Sequence, residues 1–445
     1  MRNPGLGLVG YTWEENGPAL AVREGRQSLA ESIEELATLP FVDVLYIRCD
    51  WRDVQQRPGI LNMTPVWELT LDAARRHSLR VSFRVQMSTP ERQPKQLALP
   101  DFVRDQVPLV EIGDIPHKPG AKYREPRYDH PAFQEAWTEL NHLLAERFDG
   151  DPLIEWVDLM QYGFWGEGHT GHYPNPFPTD AMARQTFLNM TLRQLETWKR
   201  TPLAVNTQPD ISRVGNDAVI AAAMNAGAWL RSDSILIEEP EQIERIVSRP
   251  PKLAAIMEDG YFRRYDSSQL TRDSAGVNVL ENSMLHTLDL HANYWSLWTE
   301  AKNLRTYDEN YPRGFHELQS KLGYRIRPSW VWQRKRDGRP ELIVAISNQG
   351  VSAVPGTLHL TLETPDGAEH LSGTLDPAEP LGGSTRLAAF RLPAYVPEVR
   401  LRAALEFRPG NIRPVAFSCE QPLDRDGAFV IQLKGPNDRG WRKNI

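Results

Sequence analysis

At 445 residues the chain exceeds what one hydrophobic core usually organises, so two domains are expected, one of them large enough to hold a deep pocket. Lys and Arg number 51 against 58 Asp and Glu, a formal charge of −7 with no basic stripe, which argues against nucleic acid or an anionic membrane surface as a partner. Two cysteines far apart, Cys49 and Cys419, exclude a disulfide framework and a cysteine zinc site, and no apolar run approaches the roughly 20 residues that span a bilayer.

The N-terminus, MRNPGLGLVGYTW, runs straight into a strand-like segment without the basic region and apolar core of a secretory leader. That fits a cytoplasmic protein, or a secreted or periplasmic one whose leader has been removed. From residue 6 to about 325, apolar β-type runs alternate with helical patterns. The predicted strands are LGLVGY (6–11), VDVLYIR (42–48), LRVSFRV (79–85), IEWVDLM (154–160), PLAVNT (202–207), WLRSDSI (229–235), KLAAIM (252–257) and YWSLW (294–298). Several are almost continuously apolar, as strands buried on both faces should be. Between them lie amphipathic helices such as AFQEAWTELNHLLAERF, where Phe133, Trp137, Leu140, Leu144 and Phe148 form one apolar stripe. Eight such rounds predict an α/β fold of the (β/α)8 TIM barrel type over residues 1–323. An open doubly wound sheet competes, but no Gly-rich phosphate loop follows the first strand.

A Pro- and charge-rich insertion at about 87–131 follows the third strand, and its place on the C-terminal face of a barrel predicts a lid. Beyond residue 323 the period changes to short alternating strands separated by Pro, Gly and Asp: RPSWVWQ, ELIVAISNQ, GTLHLTLET, STRLAAFRL, VRLRAALEF and FVIQLKG. Residues 324–445 therefore predict a small antiparallel β-sandwich, supplying rigidity, a subunit interface or extra binding surface. A homo-oligomer is compatible with that reading.

Barrel chemistry sits at the C-terminal strand ends. Those ends offer Tyr11 and Trp13 after strand one, Arg48 and Asp50 after strand two, and Arg84 near the end of strand three. Trp165, Glu167 and His169 follow strand four, Asn206 strand five, and Arg231 with Asp233 strand six; Glu258, Asp259 and Tyr261 follow strand seven, and Trp298 strand eight. Carboxylates, arginines, amides and aromatics on one rim suit a polyhydroxylated ligand. Cleavage of a glycosidic bond requires two carboxyl groups, one to protonate the leaving oxygen and one to attack the anomeric carbon or activate water.

Glu167, in GFWGEGH, is flanked by glycines that would let the backbone approach a ligand and leave the carboxyl reachable. Glu258 ends a buried strand in AAIMEDGY, where a carboxylate is costly unless paired or catalytic. The bland alternatives are a loop cap for Glu167 and an ion-pair partner for Glu258. Asp259 points the other way by alternation. His169 and His172 lie three apart, but without a third ligand they read as loop histidines. No metal and no cofactor are expected.

At Glu167 and Glu258 the chain resembles the clan A glycoside hydrolases, barrels with an acid/base glutamate after strand four and a nucleophilic glutamate at the end of strand seven. Within that clan, YGFWGEGH and RFDGDPLIEWVDL resemble a sparsely described group of β-galactosidase-related barrels with a "YG-x-WGE-x-H"-type segment and a terminal β-sandwich, which SWVWQ and SNQGV also resemble. The resemblance spans most of the chain and implies a glycosidase acting on a β-galactoside or a related pentose-containing glycan. It implies Glu258 as nucleophile and Glu167 as acid/base, in a retaining double displacement. One departure is Gly166, where many clan members carry an Asn that binds the sugar 2-hydroxyl; Asn206 or His169 would have to serve instead.

On this reading Glu167 needs a raised pKa, from the ring of Trp165 or Phe164 and the charge of Glu258. Arg48, Asp50, Arg84, Asn206, Arg231 and Asp233 are expected to recognise hydroxyl or carboxylate groups, or else to form an ion-pair network closing the barrel top. Tyr11, Tyr261 and His169 complete the expected substrate contacts, and Trp13, Trp165 and Trp298 are candidate stacking platforms. The rivals are a non-catalytic carbohydrate-binding barrel and a metal-dependent lyase or hydrolase.

Overall fold

The computed structural model describes residues 2–13, 20–93, 95–113, 122–171, 173–174, 176–259, 279–297, 299–365, 367, 370–425, 427–435 and 441–442. Eight parallel strands close into a barrel: β1 (Gly7–Trp13), β2 (Val42–Asp50), β3 (Arg80–Gln86), β4 (Ile154–Asp158), β5 (Leu203–Asn206), β6 (Trp229–Ser232), β7 (Ala255–Asp259) and β8 (Tyr294–Leu297). They neighbour one another in chain order, and β8 pairs back onto β1 at Gly7↔Tyr294. All eight predicted strands are present, and the β-period of two decides which side chains point inward.

Val9, Tyr11, Val44, Tyr46, Trp156, Ala204, Trp229, Ile256 and Tyr294 fill the barrel interior with apolar and aromatic volume. One inward step further along the strands the character changes to Arg48, Arg84, Asp158, Asn206, Arg231, Glu258 and Ser296. None of these is more than 7% exposed. The alternate set, including Ile47, Phe83, Val157, Val205, Leu230 and Met257, faces outward into the larger core under the helices.

The helices follow their sequence signals. Leu29–Ala37 begins with a capping box in which the Ser28 side chain accepts from Glu31 N and the Glu31 side chain accepts from Ser28 N. Pro131–Phe148 starts on a proline at its first position and buries the predicted stripe of Phe133, Trp137, Leu140, Leu144 and Phe148. The insertion carries a short helix, Asp101–Arg104, and a hairpin of Leu109–Gly113 with Tyr123–Pro126. Its Leu99, Val103, Tyr123, Glu125 and Tyr128 are buried, so the described part of the expected lid is packed into the rim.

Two sheets follow, antiparallel except where β17 pairs β9 in parallel, composed of β9 (Ile326–Arg336), β10 (Arg339–Asn348), β11 (Thr357–Glu363), β12 (His370–Thr374), β13 (Thr385–Arg391), β14 (Glu398–Glu406), β15 (Ile412–Val415), β16 (Phe429–Gln432) and β17 (Trp441–Arg442). One sheet runs β13-β10-β9-β17 and the other β12-β11-β14-β15, with β16 also on β14. Alternate residues of β11 and β14, such as Leu358, Leu360, Leu362, Val399, Leu401 and Leu405, face a shared apolar core. The architecture is a TIM barrel followed by a β-sandwich. Strands β12, β15 and β17 escape the sequence reading because a glycine interrupts HLSGT, a proline interrupts IRPV, and WR is two residues long.

Candidate active site

The glycine-rich segment after β4 forms a tight turn, and the turn aims Glu167. Gly163, Trp165, Gly166 and Gly168 all have positive φ, of 77°, 58°, 71° and 88°. For a tryptophan that backbone is an outlier, sustained by anchors on both sides. Trp165 N donates to Ser88 O at 2.8 Å, and Arg84 Nη1 donates to Trp165 O at 3.2 Å. A Cβ on Gly166 would lie 3.2 Å from Arg84 Cδ and 3.3 Å from Gln86 Cα; one on Gly168 would lie 2.7 Å from Phe187 Cζ. The glycines thus make room for protein neighbours, correcting the expectation that they clear space for a ligand. An Asn at 166 would be pressed against β3.

The turn delivers Glu167, 3% exposed, onto Arg84 and Arg48. Arg84 donates to Glu167 Oε1 and Arg48 Nη2 lies 3.5 Å from the same oxygen. Arg48 and Arg84 sit directly opposite each other on β2 and β3, an arrangement of like charges that is destabilising without an anion between them. Glu167 is that anion. Arg48 Nη2 also donates to Glu258 Oε1 at 2.9 Å, so one guanidinium bridges both glutamates. Glu258, fully buried, further accepts from Tyr11 Oη at 3.0 Å and from Arg231.

Beneath them Asp158 anchors two arginines, with Arg84 Nη2 and Arg231 Nη1 each 2.9 Å from Oδ2. Tyr46 Oη donates to the same oxygen at 2.5 Å and Trp156 Nε1 to Oδ1 at 2.8 Å. Asp158 and Tyr46 were missed by sequence reasoning. Their signal was the period of two, since Tyr46 shares a strand face with Arg48 and Asp158 shares one with Trp156.

Asp233 completes the group from just past β6. One carboxylate oxygen from each of Glu167, Asp233 and Glu258 lies within 4.8 Å of the others. Asp233 is partly exposed while the two glutamates are buried, and among the described residues it has no hydrogen bond or ion pair. The protonation balance follows. Burial opposes ionisation of Glu167, but Arg84, Arg48 and Arg231 outweigh it and hold the carboxyl well below the usual range. This reverses the expectation that Glu167 is raised; the arginine from β3 decides the sign, and the Trp165 ring does not. Asp158 is likewise lowered against its burial by Arg231 and Arg84. Asp233 is pushed well above the usual range by burial and by the charges of Glu167 and Glu258. Burial raises Tyr11 to about 12, so its hydroxyl stays a donor to Glu258.

The three close oxygens form a hard donor set of the kind that suits Mg2+ or Ca2+. The charges around them do not fit a cation: Glu167 and Glu258 are already compensated by Arg48, Arg84 and Arg231 at contact distance. Two buried amides at the C-terminal ends of β4 and β5 carry spare donors. Asn206 Nδ2 and Gln161 Nε2 have no partner among the described residues, although both side chains are at least nine-tenths buried.

The remaining expected residues divide. Trp13 packs on the outer core. Asp50 is one inward step above Arg48, but Gln86 Nε2 donates to it at 2.6 Å and Arg92 of the insertion ion-pairs with it, so its described partners are protein groups. Trp165, 7% exposed, and the partly exposed His169 lie side by side, ring centroids 5.0 Å apart and planes tilted by 48°, with Phe164 and Tyr173 around them. Tyr261, Trp298 and His172 lie outside the described residues.

A comparison with protein-family models finds no match, and neither does one with curated protein sequences. Among solved structures, the catalytic domain of β-amylase from Paenibacillus polymyxa is similar at 9% identity and a TM-score of 0.46, covering 69% of this chain and 98% of that one. Endo-glycoceramidase II from Rhodococcus sp., as a lactosyl-enzyme intermediate, is similar at 13% identity and 0.39, covering 87% and 97%. A β-galactosidase from the psychrophilic Marinomonas ef1 is similar at 12% identity and 0.41, covering 71% and 62%.

Proposed function

We propose that the protein is a glycoside hydrolase working with retention, with Glu258 as nucleophile and Glu167 as acid/base. The observation that carries this reading is the approach of the Glu167 and Glu258 carboxyl oxygens to within 4.8 Å at the mouth of the barrel. Retaining pairs stand about 5 to 5.5 Å apart, whereas inverting pairs need roughly 6.5 to 9.5 Å to admit a water. Arg48, Arg231 and the Tyr11 hydroxyl all donate to the Glu258 carboxyl and fix its direction, as an attacking carboxylate requires. In the first step a Glu258 oxygen bonds to the anomeric carbon while a proton of the carboxyl cluster, carried by Glu167, goes to the departing oxygen. In the second, Glu167 takes a proton from water and the glycosyl–Glu258 bond breaks. The spare amide donors of Asn206 and Gln161 support recognition of sugar hydroxyls beside the pair, and Trp165 with His169 supports stacking on a sugar face. The preference for a β-galactoside or related pentose-containing glycan rests on the resemblance of the YGFWGEGH segment to the β-galactosidase-related barrels.

A second reading, a carbohydrate-binding barrel without turnover, is favoured by one observation. Glu258 is fully buried with both oxygens engaged, so a sugar reaches it only with movement of the rim. Turnover of aryl galactosides, arabinosides, glucosides and fucosides, measured beside glycan binding for the wild type, Glu167→Gln and Glu258→Gln, separates the two. Hydrolysis lost in both variants with binding kept supports the enzyme; binding with no hydrolysis by the wild type on any member supports the binder.

A further inference from the structure

Three carboxyl groups within 4.8 Å cannot all be ionised without a matching set of cations, and among the described residues the set is one short. Asp158, Glu167, Asp233 and Glu258 face Arg48, Arg84 and Arg231, four acids against three guanidiniums. The pairing is uneven. Glu167 is held by Arg84 and Arg48, Glu258 by Arg231, Arg48 and Tyr11, and Asp158 by Arg84 and Arg231. Asp233 alone of the four has no partner among the described residues.

Resting on the glycosidase reading, we propose that Asp233 holds the proton of this cluster and supplies it, through Glu167, to the leaving oxygen. The separation of 4.8 Å or less is spanned by one hydroxyl, from water or from the sugar, accepting from one carboxyl and donating to the other. As the glycosidic C–O bond breaks, the Asp233 proton moves to Glu167 and on from Glu167 to the departing oxygen, while a Glu258 oxygen bonds to the anomeric carbon. In the second step a water oxygen bonds to that carbon and Glu258 leaves as a carboxylate. The water proton passes to Glu167 and back to Asp233, so the sum is glycoside plus water giving sugar plus alcohol. Asp233 is a positioning residue for the proton: it acts through Glu167. The charged groups acting on it are Glu167 and Glu258, which raise its affinity for the proton together with burial, and Arg48 and Arg231, which oppose them. The group titrates as a unit.

The direct test is a carbon-13 NMR titration of protein labelled at the aspartate carboxyls, comparing wild type, Asp233→Asn and Glu167→Gln. The expected result is a resonance that titrates well above the ordinary aspartate range, is missing in Asp233→Asn, and moves down by at least about one pH unit in Glu167→Gln, where a neighbouring charge is gone. If Asp233→Asn misfolds, the Glu167→Gln shift still decides. Asp233 titrating in the ordinary carboxylate range, or no response to Glu167→Gln, overturns the proposal. Kinetics give a second readout. Asp233→Asn should lose at least about 10-fold more kcat/KM on a phenyl glycoside, whose leaving group needs the proton, than on a dinitrophenyl glycoside, and its alkaline limb should shift to lower pH. Equal losses on the two substrates with an unmoved pH profile would also overturn it. The titration does not depend on turnover, so a protein that hydrolyses nothing removes the glycosidase reading while leaving the place of the proton decided separately.

Discussion

Both ends of the barrel bury acids with arginines, yet only one end leaves an acid over. At the end facing the sandwich, Glu155 is fully buried. It accepts from Gly5 N at 2.7 Å, Tyr294 Oη at 2.6 Å and Arg413 Nη1 at 2.9 Å, and Arg80 Nη1 lies 3.4 Å away. One acid there has two guanidiniums, and Arg413 comes from β15, so the pairing also fastens barrel to sandwich. At the mouth four acids share three guanidiniums, one acid lacks a partner, and two amide nitrogens have no acceptor among the described residues. A buried network kept for structure closes its hydrogen bonds and charges. One kept for chemistry leaves donors and a proton for a visitor.

That contrast can be broken from either end. The largest effect is expected at the mouth: Glu258→Gln should cut kcat on an aryl glycoside by on the order of 10^4-fold, measured with the folded fraction confirmed by circular dichroism. A loss under about 10-fold would make Glu258 another structural acid. At the opposite end Glu155→Gln should leave kcat per folded molecule intact and lower unfolding stability by roughly 3 to 5 kcal/mol, because Arg413 and Arg80 stay buried without their anion. Urea denaturation reads that cost, and a variant as stable as wild type would contradict it.

Glu125 sharpens the comparison, as a buried acid with no arginine that is nonetheless satisfied. Ser88, Tyr128 and Gln93 all donate to it, and through Ser88 it ties the insertion hairpin to the strand end that also holds Trp165. Burial, outweighing those bonds, raises it to about 7 from an ordinary 4.5. Between those values the folded chain keeps a proton the unfolded chain has lost, so this group lowers stability as pH rises from about 4.5 to 7 and adds no slope above. The change amounts to roughly 3 kcal/mol at most. Glu125→Gln should flatten that part of the stability–pH curve, and an unchanged curve would contradict the assignment. The smallest effect is expected from Asn206→Ala, about 10-fold in kcat/KM from the loss of one sugar hydrogen bond, with a stability cost of about 1 kcal/mol because only Oδ1 has a described protein partner, Gln208 N at 2.9 Å.

The barrel was legible because its strands are short apolar runs buried on both faces, and helices such as Pro131–Phe148 carry unambiguous stripes. Glu167, Glu258, Arg48, Arg84 and Arg231 were legible as charges at the ends of such runs. What the sequence withheld depends on contacts between distant elements. The sign of the Glu167 shift rests on Arg84, which reaches it only because Trp165 takes a left-handed turn. Asp50 reads as a sugar ligand until Arg92 arrives from the insertion. Asp158 and Tyr46 lie one layer below the rim, where a polar residue in an apolar strand passes for core. The uneven sharing of arginines, which singles out Asp233, exists only once five strands meet.

The most direct test of the central claim is to trap the covalent intermediate with an activated 2-deoxy-2-fluoro glycoside and locate the label by peptide mass mapping. The account predicts one glycosyl group per chain, on the peptide containing Glu258 and absent from Glu258→Gln. A label on Glu167 or Asp233, or turnover of the parent glycoside with release of the inverted anomer and no label, would contradict it.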